Sequence, residues 1–238
     1  MTLCCGIDGC PGGWIAVCEH AATGRWEHRL LAPGGIAALR AARPDVIVID
    51  IPVGLPEAGS RECDRAARRY LGPARRASVF PAPIRRALGA RDWGEACRMR
   101  EAVEGKRYPR QVFGILAKVR EIDDLLHRAP GLGGLLREGH PEVTLAAMNG
   151  GNAMRHPKKS AAGRAERLAV IRESLGDGAV ELYQHAAAHY PRARVGRDDL
   201  IDALALVWTA RRIASGRHLR LPREARSDAL GLPMHIHY

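Results

Sequence analysis

Residues 45–50, DVIVID, constrain the fold more than any other stretch of the chain. Four consecutive β-branched apolar residues predict a strand covered on both faces, because a strand with one wet face alternates. Such a strand belongs to a sheet with helices packed on both sides. Pro52 and Pro56 stop it. Upstream, residues 2–8, 14–18 and 25–31 read as three antiparallel strands, with Gly9, Pro11, Gly12 and Gly13 making the first turn. Residues 35–42 read as a short helix. Residues 135–145, carrying HPEV, read as a further strand. Helices are expected over 114–127, 158–175, 179–190 and, most strongly, 198–215.

Two of these strands end in aspartate, Asp8 and Asp50. If they are parallel neighbours, both carboxylates emerge at one carboxyl edge, where open α/β sheets place ligands. Asp199 and Asp202 are three apart and share a face of the late helix. The apolar positions Leu200, Ile201, Leu204, Val207 and Trp208 would dock that helix on the sheet. Taken singly, each acid has an ordinary role at a turn or helix start. Taken together, four carboxylates repel one another unless a cation neutralises them. Hard oxygen donors suit Mg²⁺ or Mn²⁺. Two such ions ~4 Å apart are the usual arrangement for in-line phosphoryl displacement.

Lys and Arg number 37 against 26 Asp and Glu, a net charge of +11. An excess of this size points to nucleic acid, an anionic membrane surface or an acidic substrate. Only Lys106, Lys118, Lys158 and Lys159 are lysines, and an arginine bias of that kind also reflects a GC-rich genome. Residues 61–128 hold 17 basic and 9 acidic residues, are mainly helical by pattern, and are broken by Pro73, Pro81, Pro83 and Pro109. Arg75, Arg76 and Ser78 in a proline-bounded loop, and Lys158 and Lys159 before a helix, are candidate phosphate ligands. Arg61, Arg65, Arg68 and Arg69 read as a basic surface. Glu142 is either a fifth carboxylate or general base, or a strand-end partner for an arginine. His140 titrates near neutrality and is a candidate base.

The aromatic share of 5% argues against a stacking platform for single strands. No stretch reaches ~18 apolar residues and no signal peptide is evident, so a cytoplasmic protein with no membrane partner is expected. The six cysteines form no CxxC pair and read as reduced, mostly buried thiols. Oligomeric state is open, and a homodimer is one arrangement.

In their order, GIDGCPGGWIAV, DIPVGLP, RECDRAARRYLGPARRASVFPAPIR, HPEV, KKSAAGRAERL, DDLIDALALVWTA and the closing DALGLPMHIHY resemble the domain of unknown function 429 family. That resemblance implies a ribonuclease H-like fold and nuclease activity. Separately, the run Asp199 to Ala205, DLIDALA, is similar to the DxxDALA helix of RuvC-type resolvases. The similarity implies that Asp8, Asp50, Asp199 and Asp202 are metal ligands. Those enzymes carry Glu where this chain has Asp50, one methylene shorter.

The expected architecture is an α/β, ribonuclease H-like mixed five-stranded sheet flanked by helices. It would form one domain over 1–238, with a basic, mainly helical insertion at about 57–130. The expected activity is hydrolysis of DNA or RNA phosphodiesters with Mg²⁺ or Mn²⁺ by a two-metal mechanism. The catalytic set would be Asp8, Asp50, Asp199, Asp202 and Glu142. Three alternatives remain: a non-catalytic nucleic-acid-binding protein on the same scaffold, a hydrolase of an acidic metabolite, and an actin-like-fold phosphotransferase. The last arises because GIDGCPGG resembles the first phosphate loop of actin-like kinases.

Overall fold

In the computed structural model, residues 2–224 and 226–238 are described. Strands β1 (Leu3–Cys10), β2 (Gly13–His20) and β3 (Arg25–Leu31) form an antiparallel meander. Strand β4 (Val46–Ile49) lies parallel to β1, and β5 (Leu136–Glu138) lies parallel to β4. The sheet order β3-β2-β1-β4-β5 is the ribonuclease H-like α/β arrangement expected above. A short two-stranded sheet, β6 (Arg220–Leu221) with β7 (Ile236–His237), closes the chain.

Between β4 and β5 run α1 (Glu62–Arg75), α2 (Trp93–Glu104) and α3 (Arg110–Arg128). After β5 come α4 (Pro141–Met148), α5 (Ala161–Leu175), α6 (Asp177–His189) and α7 (Arg197–Ala214). The expected helix at 35–42 is a 3-10 helix. Helix α3 is not an appendage of the basic segment. Its Val119, Ile122 and Leu126 pack with Cys5, Ile7, Ile47 and Ile49 and cover one face of the sheet. Helix α7 covers the other, with Leu200, Ala203, Leu204 and Val207 against Cys4, Val46 and Val48.

The parity of the strands now matters. Side chains alternate between faces. Cys4 of β1 and Val46 and Val48 of β4 face α7, so the even positions that follow, Asp8 and Asp50, belong to the α7 side too. Gly6 lies on the same parity, and a Cβ there would stand 2.1 Å from the Ala203 carbonyl oxygen. Only glycine lets α7 lie this close to β1.

Two expectations are corrected. HPEV is not in a strand: β5 ends at Glu138, and Pro141 opens α4 at its first turn. Proline lacks an N–H and has a helix-compatible φ, so it favours exactly this first-turn role over a ladder position. Cys5 and Cys18 face each other across β1 and β2 with Cα atoms 4.1 Å apart and are joined as a disulfide. The other four cysteines, Cys4, Cys10, Cys63 and Cys97, are buried free thiols, as expected. Among the described residues no helix is long and apolar enough to cross a membrane.

Candidate functional site

Asp8 near the end of β1, Asp50 just past β4 and Asp202 in the second turn of α7 converge. Each offers a carboxylate oxygen within 4.8 Å of the other two. The register explains the meeting: Ile7 pairs with Ile49, so Asp8 and Asp50 stand side by side at the carboxyl edge. Asp8 is 8% and Asp202 2% exposed. Burial pushes Asp8 well above the usual carboxylate range, and the neighbouring Asp50 and Asp202 push it further. Burial and Asp202 raise Asp50 to about 7. Asp202 is raised by burial, against the opposing pull of Lys158.

The Lys158 ammonium donates to Asp202 Oδ2 at 2.7 Å and lies 3.9 Å from Asp198 Oδ2. Its affinity for its proton is raised, chiefly by Asp202. Asp202 Oδ1 is buried with no partner. Three converging carboxylates therefore meet one lysine, and a lone pair is left over. Hard oxygens with a deficit of positive charge fit Mg²⁺ or Mn²⁺.

The acids lie at the base of a cleft of about 640 Å³. Helix α3 contributes Ile115 and Lys118, the segment after α1 contributes Ser78 and Phe80, and His140 and Glu142 come from the β5–α4 junction. The Lys118 stem packs where a Cβ on Gly9 would be, and its ammonium lies 5.2 Å from the Trp14 ring centroid. Arg75 Nε donates to the Met154 carbonyl at 2.7 Å, while its Nη2 is buried without a partner. Burial lowers the His140 pKa, so the ring is held neutral, and its Nδ1 is also unpartnered.

A family model described as Protein of unknown function (DUF429) matches residues 6–227. The chain belongs to the DUF429 family. No curated protein and no solved structure matches it.

In this DUF429 chain the remaining sequence candidates separate. Asp199 Oδ2 accepts from the Gly196 N–H at 2.9 Å, half of a capping box, and the residue lies outside the converging set. Burial raises Asp199 to about 6. Glu142 Oε1 accepts from Arg167 Nη2 at 2.5 Å, and its Oε2 lies 3.8 Å from Arg75 Nε. It borders the cleft as an arginine partner, on a helix start. Ser78 Oγ donates to the Arg75 carbonyl at 2.7 Å and shapes the loop that carries Arg75. Arg76 lines a separate concavity with Arg68 and Arg69, and Lys159 is exposed and does not line the cleft. Helix α5 begins at Ala161, so Lys158 sits in the preceding loop, capped by Ser160.

Lys118, Arg167 and Phe80 line the cleft and are absent from the sequence-based set. Each carried a signal. Lys118 is a rare lysine in an arginine-rich chain, Phe80 lies inside RECDRAARRYLGPARRASVFPAPIR, and Arg167 lies inside KKSAAGRAERL.

A second acidic group borders the same cleft. Asp64 and Glu138, with Cys63, also bring ligand atoms within 4.8 Å of one another. Here the cation is built in. Arg61 is 3% exposed and donates to Asp64 at 2.6 Å and to both Glu138 oxygens at 2.7 Å. Its Nη1 also donates to the Val53 and Gly54 carbonyls. Arg61 is thus a buried strut, which corrects its expected place on a basic surface.

Proposed function

We propose that this chain is a divalent-metal-dependent phosphodiester hydrolase acting on nucleic acid. The convergence of Asp8, Asp50 and Asp202 in a cleft that also presents Arg75, Lys118 and Lys158 carries the reading. The three carboxylates would hold the metal. When bound, a divalent ion supplies Lewis-acid activation of water and stabilises charge on the phosphate. The engagement of Asp199 on Gly196 and the place of Lys158 beside Asp202 favour one ion with a lysine next to it over the two ions expected.

The protein's own groups account for the remaining work. Lys158 fixes Asp202 and sets a positive charge beside the reacting phosphate. Arg75 Nη2 offers a free donor to a phosphate oxygen, and Lys118 adds charge from the facing wall. His140 lines the cleft with its Nδ1 buried and unpartnered, and burial lowers its pKa, so it is the nearest imidazole candidate for taking a proton from attacking water. Arg167 pairs with Glu142 Oε1, while Glu142 Oε2 is buried without a hydrogen-bond partner and its charge still bears on Asp50 and Asp202.

The test is cleavage of labelled oligonucleotides by the purified chain with Mn²⁺, beside Asp202→Asn and an EDTA control. Mn²⁺-dependent cleavage lost in the variant supports the reading. No cleavage, with Mn²⁺ binding equal in wild type and variant, overturns it. Mn²⁺ titration gives the stoichiometry, expected to be one ion per chain.

A further inference from the structure

We propose that the cleft takes its phosphodiester on one unpaired nucleotide of a single-stranded polynucleotide, with the base laid on Phe80. This substrate class rests on the hydrolase reading above and goes beyond it. The placement of the acids comes first. Asp8 and Asp202 are 8% and 2% exposed and line the cleft beside the more exposed Asp50, so a phosphate reaches them from within the cleft. A volume of about 640 Å³ suits a compact ligand, since small-molecule pockets run ~300–1,000 Å³. Duplex DNA is stiff over this length whereas an unpaired strand bends, so a phosphate of a single strand enters a pocket of this size more readily.

The second observation is Phe80. Its ring is 46% exposed, and among the exposed large apolar side chains of the described residues it alone lines the cleft. An apolar ring in water at the edge of a cleft that also holds Arg75 and Lys118 offers a stacking surface, and stacking accepts any base because every base has a π face. The low aromatic content fits one stacked base and excludes a run of them. The third observation is the buried, unpartnered Arg75 Nη2, a donor with no acceptor in the protein. Stacking on Phe80 and a phosphate on Arg75 would hold one nucleotide while the adjoining phosphodiester meets the carboxylates.

The test uses the full chain, a fluorescent single-stranded oligonucleotide, the blunt duplex of the same sequence and a free dinucleotide. Binding is read by anisotropy with Ca²⁺ and cleavage with Mn²⁺. The single strand should bind and be cut ~10-fold better than the duplex. Phe80→Ala should weaken strand binding ~10-fold with Mn²⁺ affinity unchanged, and Phe80→Trp should restore it. Unchanged thermal unfolding of Phe80→Ala separates this effect from misfolding. Equal binding and cutting of the duplex, or Phe80→Ala binding as wild type, overturns the proposal and leaves the hydrolase reading intact. A dinucleotide that competes as well as the strand overturns the polynucleotide assignment. Phe80-dependent strand binding without cleavage sinks the hydrolase reading and sustains the ligand assignment.

Discussion

Two acidic groups border the same cleft. In one, Asp64 and Glu138 close around the Arg61 guanidinium, and every hydrogen-bonding direction of that cation is used. In the other, Asp8, Asp50 and Asp202 share a single half-exposed lysine, and Asp202 keeps an idle oxygen. Convergence of carboxylates is common to both. What separates them is how far the acids are partnered within the protein. The Arg61 group is fully hydrogen-bonded and holds a shape, whereas the other group leaves Asp202 Oδ1 without a partner, and the proposed metal site rests on that difference.

The comparison breaks most readily at Arg61. Arg61→Met should lower the unfolding free energy by about 3–5 kcal/mol, because two carboxylates are left buried without a cation. Urea denaturation measures this. A loss under about 1 kcal/mol would place that group in the same class as the acidic centre. At the centre itself the effect should fall on rate. Asp202→Asn should slow cleavage ~1,000-fold, about 4 kcal/mol of barrier, with metal-free stability held or raised. A matching collapse of stability would make Asp202 structural.

Glu142→Gln should weaken Mn²⁺ affinity ~10-fold by unsettling Arg167 and Arg75 around the site. Metal titration reads it, and an unchanged affinity would confine Glu142 to packing. A smaller effect concerns pH. Asp8 is raised, Asp50 and, in the Arg61 group, Glu138 are raised to about 7 and Asp199 to about 6. Their unfolded values lie near 4, so between about pH 4 and 7 the folded chain binds more protons than the unfolded one. Metal-free stability should therefore fall as pH rises through that window, and Mg²⁺ should restore it above pH 7. Since ~1 kcal/mol moves Tm by about 2–4 °C in a chain of this size, melting curves resolve it. A metal-free Tm rising with pH would contradict the charge deficit. The smallest effect is expected at Arg76 and Lys159. Alanine at either should leave stability within ~0.5 kcal/mol, and cleavage nearly unchanged.

The sheet was legible because DVIVID admits few alternatives, two short apolar runs flank the Gly- and Pro-rich turn at 9–13, and residues 25–31 alternate. The pairing of Asp8 with Asp50 followed from parallel order alone. The spacing of Asp199 and Asp202 put both on one helix face, yet it carried no information about which would cap the helix start and which would reach the cleft. That division follows from where the helix starts: Gly196 is the N-cap, so Asp199 reaches back three residues to its N–H, while Asp202 lies a turn further on. HPEV misled because a strand and a proline-opened helix share the same few apolar letters, and β5 is only three residues long. The basic excess was legible as a number but not as a place. Arg61, Arg85 and Arg100 of the basic segment hydrogen-bond to nearby acids or carbonyls within the protein, which composition does not reveal.

Gly6 has a consequence for how such a centre can change over time. The gap between Asp8 and Asp202 is gauged by a backbone-on-backbone contact between β1 and α7, with no side chain between them. A single methyl at position 6 would act as a shim, lifting the helix and parting the two carboxylates. The geometry at the sheet edge is thus tied to a residue that contributes no side chain to the cleft.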